Sequence, residues 1–124
     1  MSETIPERPE TRECVRLAVA AALEIKATDL SVRHLTPVTD FTDFFVICSA
    51  ANERQAQAIA DKVEERLRER GVRPLHSEGH NVGQWILLDY GDFVLHVFQE
   101  ERRRFYALER LWGDAPDVTS ELAA

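Results

Sequence analysis

The chain reads as an α/β (α+β) domain with a single mixed sheet of about five strands and about three main helices. Three observations predict this. Apolar residues recur at helical spacing from Val15 to Ala22 and again from Ala56 to Leu67. Asp43 to Ser49 (DFFVICS) is a continuous apolar run of strand length, as expected of a strand buried on both faces. Gln84 to Phe98 (QWILLDYGDFVLHVF) places two apolar runs about a glycine-containing turn, which is a hairpin pattern. A length of 124 residues suits one domain.

In chain order, residues 1–10 carry Pro6 and Pro9 and read as a flexible tail. The domain is expected over residues 11–115, and residues 116–124 read as a second flexible tail. Thr11 is positioned as the N-cap of a helix running to about Lys26, with Val15, Ala18, Val19 and Ala22 as its apolar stripe. Asp29 to Leu35 alternates and reads as a strand that Thr36-Pro37 ends. The strand at 43–49 follows. Asn52 with Gln55 resembles a capping box, and Ala56, Ile59, Ala60, Val63 and Leu67 follow it at helical spacing. Glu64 and Arg68 form a favourable i,i+4 pair on the outer side, and Gly71 is placed as the C′ residue. Val72 to Glu78 is a short edge-strand candidate because it contains Pro74. Gly79 to Gly83 reads as a loop. After the hairpin a last helix is expected from about Gln99 to Trp112, with Phe105, Leu108, Leu111 and Trp112 inward and Glu100 and Glu101 in its first turn.

The hairpin register follows if Tyr90 and Gly91 are the loop residues. Leu88 then faces Phe93, Leu87 faces Val94, Ile86 faces Leu95 and Trp85 faces His96. Alternation sorts the side chains onto two faces. Ile86, Leu88, Phe93, Leu95 and Val97 form a wholly apolar core face. The other face carries Trp85, Leu87, Asp89, Asp92, Val94, His96 and Phe98, and its charges predict that it is the wetter one. Aromatic and aliphatic residues beside carboxylates on an outer sheet face are the composition of a binding patch.

Composition narrows the partners. The chain has 22 acidic residues against 15 basic ones, for a net charge of −7. Gripping a nucleic-acid backbone needs Lys and Arg to displace counterions, whereas an acidic surface speeds encounter with a basic protein. Cys14 and Cys48 match no ligand spacing and read as reduced thiols. The polar, acidic MSETIPERPE segment lacks the features of a secretory or transit peptide. With no membrane-length apolar run, a cytoplasmic location is expected.

Three features invite catalysis or metal binding and a fourth, the Arg102-Arg103-Arg104 run, contact with RNA or an acidic surface; each has a plainer reading. His34, His76, His80 and His96 show no zinc-like spacing, so no metal or cofactor is expected. Asp40 and Asp43 could hold magnesium for nucleotidyl transfer. No glycine-rich phosphate loop precedes them, and the plainer reading is that they shape a turn. Cys48 lies in the most apolar strand, where thiols are ordinarily inert. Arg102-Arg103-Arg104 follows Glu100-Glu101 and reads as a solvated face.

The segments DLSVRHL, TDFTDFFVICSA, NERQAQAIADKVEERL and PLHSEGHNVGQWILLDYGDFVLHVFQEERRRFYALERLWGDA resemble the ribosomal silencing factor family, also called Iojap-like proteins. The resemblance runs from about Val15 to Ala115 and is most specific in the DYGD-to-HVFQEE stretch and in YALERLW. It implies a nucleotidyltransferase-like topology without the catalytic motif, and a binding factor rather than an enzyme. It also implies attachment to the large ribosomal subunit through ribosomal protein L-fourteen. Occupying that face would block joining of the small subunit and lower translation under nutrient limitation. Family members tend to be homodimers when free. Set beside the hairpin faces, this makes Trp85, Leu87, Asp89, Tyr90, Val94, His96 and Phe98 the expected protein-binding residues. The competing readings are a metal-dependent nucleotidyltransferase built on Asp40 and Asp43 and a plain dimerisation module.

Overall fold

Helix α1 (Pro9–Glu24) begins ahead of Thr11. A proline suits the first helical position, where no backbone N–H is needed. Thr11 is therefore inside the helix and not its cap. Its hydroxyl donates to Asp92 Oδ2 at 3.1 Å and ties α1 to the hairpin loop. This structure, a computed structural model, describes residues 9–36, 42–102 and 115–123. Val15, Ala18, Val19 and Ala22 are buried, as their spacing predicts.

The remaining described elements are β1 (Thr28–His34), β2 (Phe44–Ala50), α2 (Glu53–Arg68), β3 (His76–Glu78), β4 (Trp85–Asp89), β5 (Phe93–Gln99) and a one-turn helix α3 (Thr119–Leu122). Residues 100–102 continue β5 into helix. The rest of the expected last helix, including Phe105, Leu108, Leu111 and Trp112, lies outside the described residues. The strands form one five-stranded sheet in the order β1-β2-β5-β4-β3. β2 and β5 are parallel and the other neighbours antiparallel, so the sheet is mixed, as expected.

Helices α1 and α2 cover one face. Their apolar stripes meet Val32, Phe44, Val46, Cys48, Ile86, Leu88, Leu95 and Val97 in the main core. A second cluster lies on the opposite face around Leu35, Phe45, Ile47, Val94 and Phe98. β2 lies between β1 and β5, and every one of its residues is buried, which explains its unbroken apolar run.

The capping signals at both ends of α2 are realised. Asn52 Oδ1 accepts the Gln55 N–H at 2.8 Å. Gln55 Oε1 reaches back to the Ala51 N–H at 2.7 Å, one residue beyond the usual partner in a capping box. Gly71 has φ +76°. Its N–H bonds to Arg68 O and the Val72 N–H to Leu67 O, both at 2.9 Å. These are the paired bonds of a Schellman motif with Gly71 at C′. Asn52→Ala is expected to lower unfolding free energy by about 1 kcal/mol, read as a shift of the urea midpoint at unchanged slope.

The segment 116–123 is a correction to the sequence reading, because it is not a frayed tail. Its backbone runs beside β1, with the His34 N–H on Pro116 O and the Val118 N–H on Val32 O, both at 2.9 Å. The Thr119 hydroxyl accepts the Val32 N–H at 2.8 Å. Val118 and Leu122 are buried and supply the apolar anchor. The Asp117 carboxyl is held below its ordinary value, first by the Thr119 hydroxyl and then by the Thr119 N–H. One edge of the sheet is thus covered, while β3 at the other edge is exposed along its length.

Candidate functional site

The hairpin turns one residue later than its sequence suggests. The Tyr90 N–H bonds Phe93 O at 2.9 Å, leaving Gly91 and Asp92 as the loop. Gly91 has φ +87°, and it stands at the first loop position, where turns of the II′ type require glycine. The sequence pattern alone predicts it at the second. The Asp89 carboxylate accepts the Gly91 N–H at 2.8 Å, and the Thr42 hydroxyl donates to Gly91 O at 2.9 Å. The observed pairs are Leu88 with Leu95, Leu87 with His96 and Trp85 with Phe98. The pairing has slid two residues along β5. An even slide leaves strand side chains on their faces, so the division into two faces holds for the paired residues although each individual pair differs; Asp92, expected on the outer face, is a loop residue that meets Thr11 of α1 instead.

Tyr90 is the exception among the predicted patch residues. As the last paired residue of its strand it lies on the helix side, stacked on Phe93 with ring centroids 4.8 Å apart. Burial pushes its phenol well above the usual tyrosine range. It is a core residue, and its expected place in the outer patch is withdrawn.

The second face is drier than expected. Val94, His96 and Phe98 are buried, with Phe98 fully inaccessible. Trp85, Leu87 and Asp89 keep partial exposure. Strand order contributes to this. β5 is the middle strand, so its residues on this face are flanked by Phe45 and Ile47 of β2 and by Trp85 and Leu87 of β4. The seven predicted residues therefore separate into three accessible ones on β4, three buried beneath or beside them, and Tyr90 on the far side.

Trp85 is held from below. Its ring stacks on Phe98 with centroids 4.9 Å apart and 28° between planes, and its Nε1–H donates to His96 Nδ1 at 3.1 Å. His96 meets Phe45 edge-on at 4.7 Å. Beyond Leu87 and Asp89 lies β3, where His76 pairs with Asp89 and Glu78 with Leu87. His76 Nε2 and Glu78 Oε2 are 2.6 Å apart. Among the described residues, the accessible part of this face is thus Trp85 and Leu87 with the carboxylates of Asp89 and Glu78 beside them, and Glu78 is a member that sequence reasoning missed. Its signal was present, since a register for β3 against β4 would have put it beside Leu87. Glu100, just past the end of β5, accepts the Thr28 hydroxyl at 3.3 Å.

The other candidates are dispersed. The Asp43 carboxylate accepts the Thr36 hydroxyl at 3.0 Å and so serves a turn, while Asp40 lies outside the described residues. His34 stacks on Phe44, and His80 bonds Asp61 at 2.8 Å. Among the described residues no three His, Cys, Asp or Glu side chains gather as a metal site would require. Cys48 is buried and Cys14 half-buried, neither in a disulfide; burial raises the Cys14 thiol pKa. Arg102 is exposed, and Arg103 and Arg104 lie outside the described residues. Among the described residues no helix is long and apolar enough to cross a membrane.

Fold and site together define a small α+β domain with one helix-covered sheet face and a tryptophan-capped opposite face. The family model "Ribosomal silencing factor during starvation" matches residues 8–124. Ribosomal silencing factor RsfS of Halalkalibacterium halodurans is 39% identical over 110 residues, covering 89% of this chain and 94% of that protein. A crystal structure of a Chromobacterium violaceum protein superposes with a TM-score of 0.81 at 36% identity, covering 84% of this chain and 87% of that one. A mouse relative named mitochondrial assembly of ribosomal large subunit protein 1 is 30% identical over 101 residues, 79% of this chain and 44% of that protein. The chain belongs to the ribosomal silencing factor family.

Proposed function

We propose that the protein binds the large ribosomal subunit at ribosomal protein L-fourteen and, by occupying that surface, blocks joining of the small subunit. Translation then falls when nutrients are limiting. The protein acts in the cytoplasm as a binding factor without a cofactor, and free copies pair as homodimers. The observation that carries this reading is the partial exposure of Trp85 and Leu87 beside the buried Val94, His96 and Phe98. An indole and a leucine offer apolar area, and aromatic residues are enriched at interfaces. Asp89, Glu78 and the net charge of −7 suit a basic ribosomal protein and raise the rate of encounter. The name of the mouse relative, which refers to the ribosomal large subunit, supports the choice of subunit. The nucleotidyltransferase alternative gains no observation, since Asp43 is engaged by Thr36.

Sedimentation of mixed ribosomal subunits tests the reading. Added protein is expected to co-migrate with large subunits and to deplete the joined-ribosome peak in proportion to occupancy. Joined ribosomes that form undiminished while the protein saturates large subunits would overturn the occlusion mechanism. Protein that stays at the top of the gradient would overturn binding itself.

A further inference from the structure

We infer that His96 is a positioning residue, a buried acceptor that fixes the indole of Trp85 in the orientation it presents to its partner. The inference rests on the reading of Trp85 as a contact residue and adds to it the group that sets its geometry. His96 is only 3% exposed, so it touches no partner in this conformation and acts through its neighbour. Its Nδ1 accepts the Trp85 Nε1–H at 3.1 Å. An accepting Nδ1 carries no proton, so the neutral ring holds its proton on Nε2. Phe45 packs edge-on against the imidazole at 4.7 Å, and β2 and β4 flank it with Ile47 and Leu87. A ring confined this way has few orientations, and its lone pair lies where the indole N–H must go.

The stack of Trp85 on Phe98 sets the plane of the indole. The bond to His96 is directional and sets the orientation of the ring within that plane. A side chain ordered before binding does not lose conformational freedom at the interface, and the gain in affinity is about three- to tenfold for one such residue.

The test compares His96→Leu, which keeps bulk and removes the acceptor, with His96→Asn, whose carbonyl oxygen stands near the position of Nδ1. Three quantities are measured on each folded protein: the indole Nε1–H resonance of Trp85 and its exchange with solvent, the Kd for purified large subunits, and the urea midpoint. Trp85→Phe assigns the resonance, since the chain has two tryptophans. The His96→Leu protein is expected to lose the hydrogen-bonded indole signature and to bind about three- to tenfold more weakly. The His96→Asn protein is expected to recover both. An indole signature unmoved in His96→Leu overturns the inference. So does weakening of binding that follows the midpoint alone, with Asn no better than Leu. Wild-type protein that fails to bind large subunits overturns the contact reading instead, and the indole signature then still decides whether His96 orients Trp85.

Discussion

Gly79→Ala is expected to cost far more stability than Gly71→Ala, although the two glycines have nearly the same backbone conformation. Their φ angles are +81° and +76°. A side chain in this left-handed region carries a penalty of about 1–2 kcal/mol. At Gly71 that is the whole effect, because a Cβ there meets nothing within 4 Å. At Gly79 a Cβ would stand 2.0 Å from the carbonyl oxygen of Trp85, and the obstacle is backbone that cannot rotate away. Relief requires moving the start of β4. That strand is fixed by pairing with β5, and the loop before it is clamped to α2, with Gln57 Nε2 on His80 O at 2.9 Å and His80 on Asp61 at 2.8 Å. The loss at Gly79 should therefore exceed the roughly 0.5–3 kcal/mol of ordinary substitutions, against about 1–2 kcal/mol at Gly71. Urea unfolding of both variants checks this. Equal midpoints would show that the connection between β3 and β4 yields, and that the close approach of Gly79 to Trp85 constrains nothing. Because the obstructed carbonyl belongs to Trp85, the same substitution should also displace the indole and weaken any interface built on it.

What could be read in the sequence follows the range of the forces involved. The unbroken run from Phe44 to Cys48 announced a strand covered on both faces, and β2 is that strand. Asn52 and Gly71 announced the ends of α2 through bonds spanning only a few residues. The two faces of the hairpin were legible because alternation is a local property. Its exact pairing was not, since the pattern Tyr90-Gly91-Asp92 admits glycine at either loop position, and the choice was settled by Thr42 and Asp43 from a distant part of the chain. Dryness of the second face was hidden for a different reason. It depends in part on β5 being the middle strand of the sheet, and no residue of β5 encodes its neighbours. The segment after Pro116 was misjudged on the same grounds. Val118 and Leu122 form a short apolar pair whose value lies in contact with α1 and β1, and the Val32–Thr119 bond joins residues 87 apart in sequence. The site was legible to the same extent: Trp85, Leu87 and Asp89 could be named from alternation, while the roles of His96 and Phe98 as support beneath them required the strand order.

Trp85→Ala is expected to weaken association with large ribosomal subunits by at least about tenfold, and by about thirtyfold if the residue is a central anchor worth roughly 2 kcal/mol. The indole has two sides with different duties. Its inner side lies on Phe98 at 4.9 Å and bonds His96, which serves the fold. Trp85 and Leu87 both keep partial exposure, and on the proposed reading that accessible area meets the partner. Truncation removes both contributions, so the variant also loses some stability, and binding has to be compared where both proteins are folded by their far-ultraviolet spectrum and urea midpoint. Trp85→Phe separates the two duties. A phenyl ring keeps the stack on Phe98 and much of the apolar area but lacks the N–H, so its affinity should fall between wild type and alanine while its stability stays near wild type. Asp89→Asn should behave differently again, slowing association and flattening its salt dependence with little change in dissociation, because rim charges act mainly on encounter. This carboxylate also accepts the Gly91 N–H, a role that asparagine can retain through its carbonyl oxygen. A folded Trp85→Ala protein that suppresses subunit joining at the wild-type concentration would remove Trp85 from the interface. A protein that unfolds outright would show that the inner side of the indole outweighs the outer one.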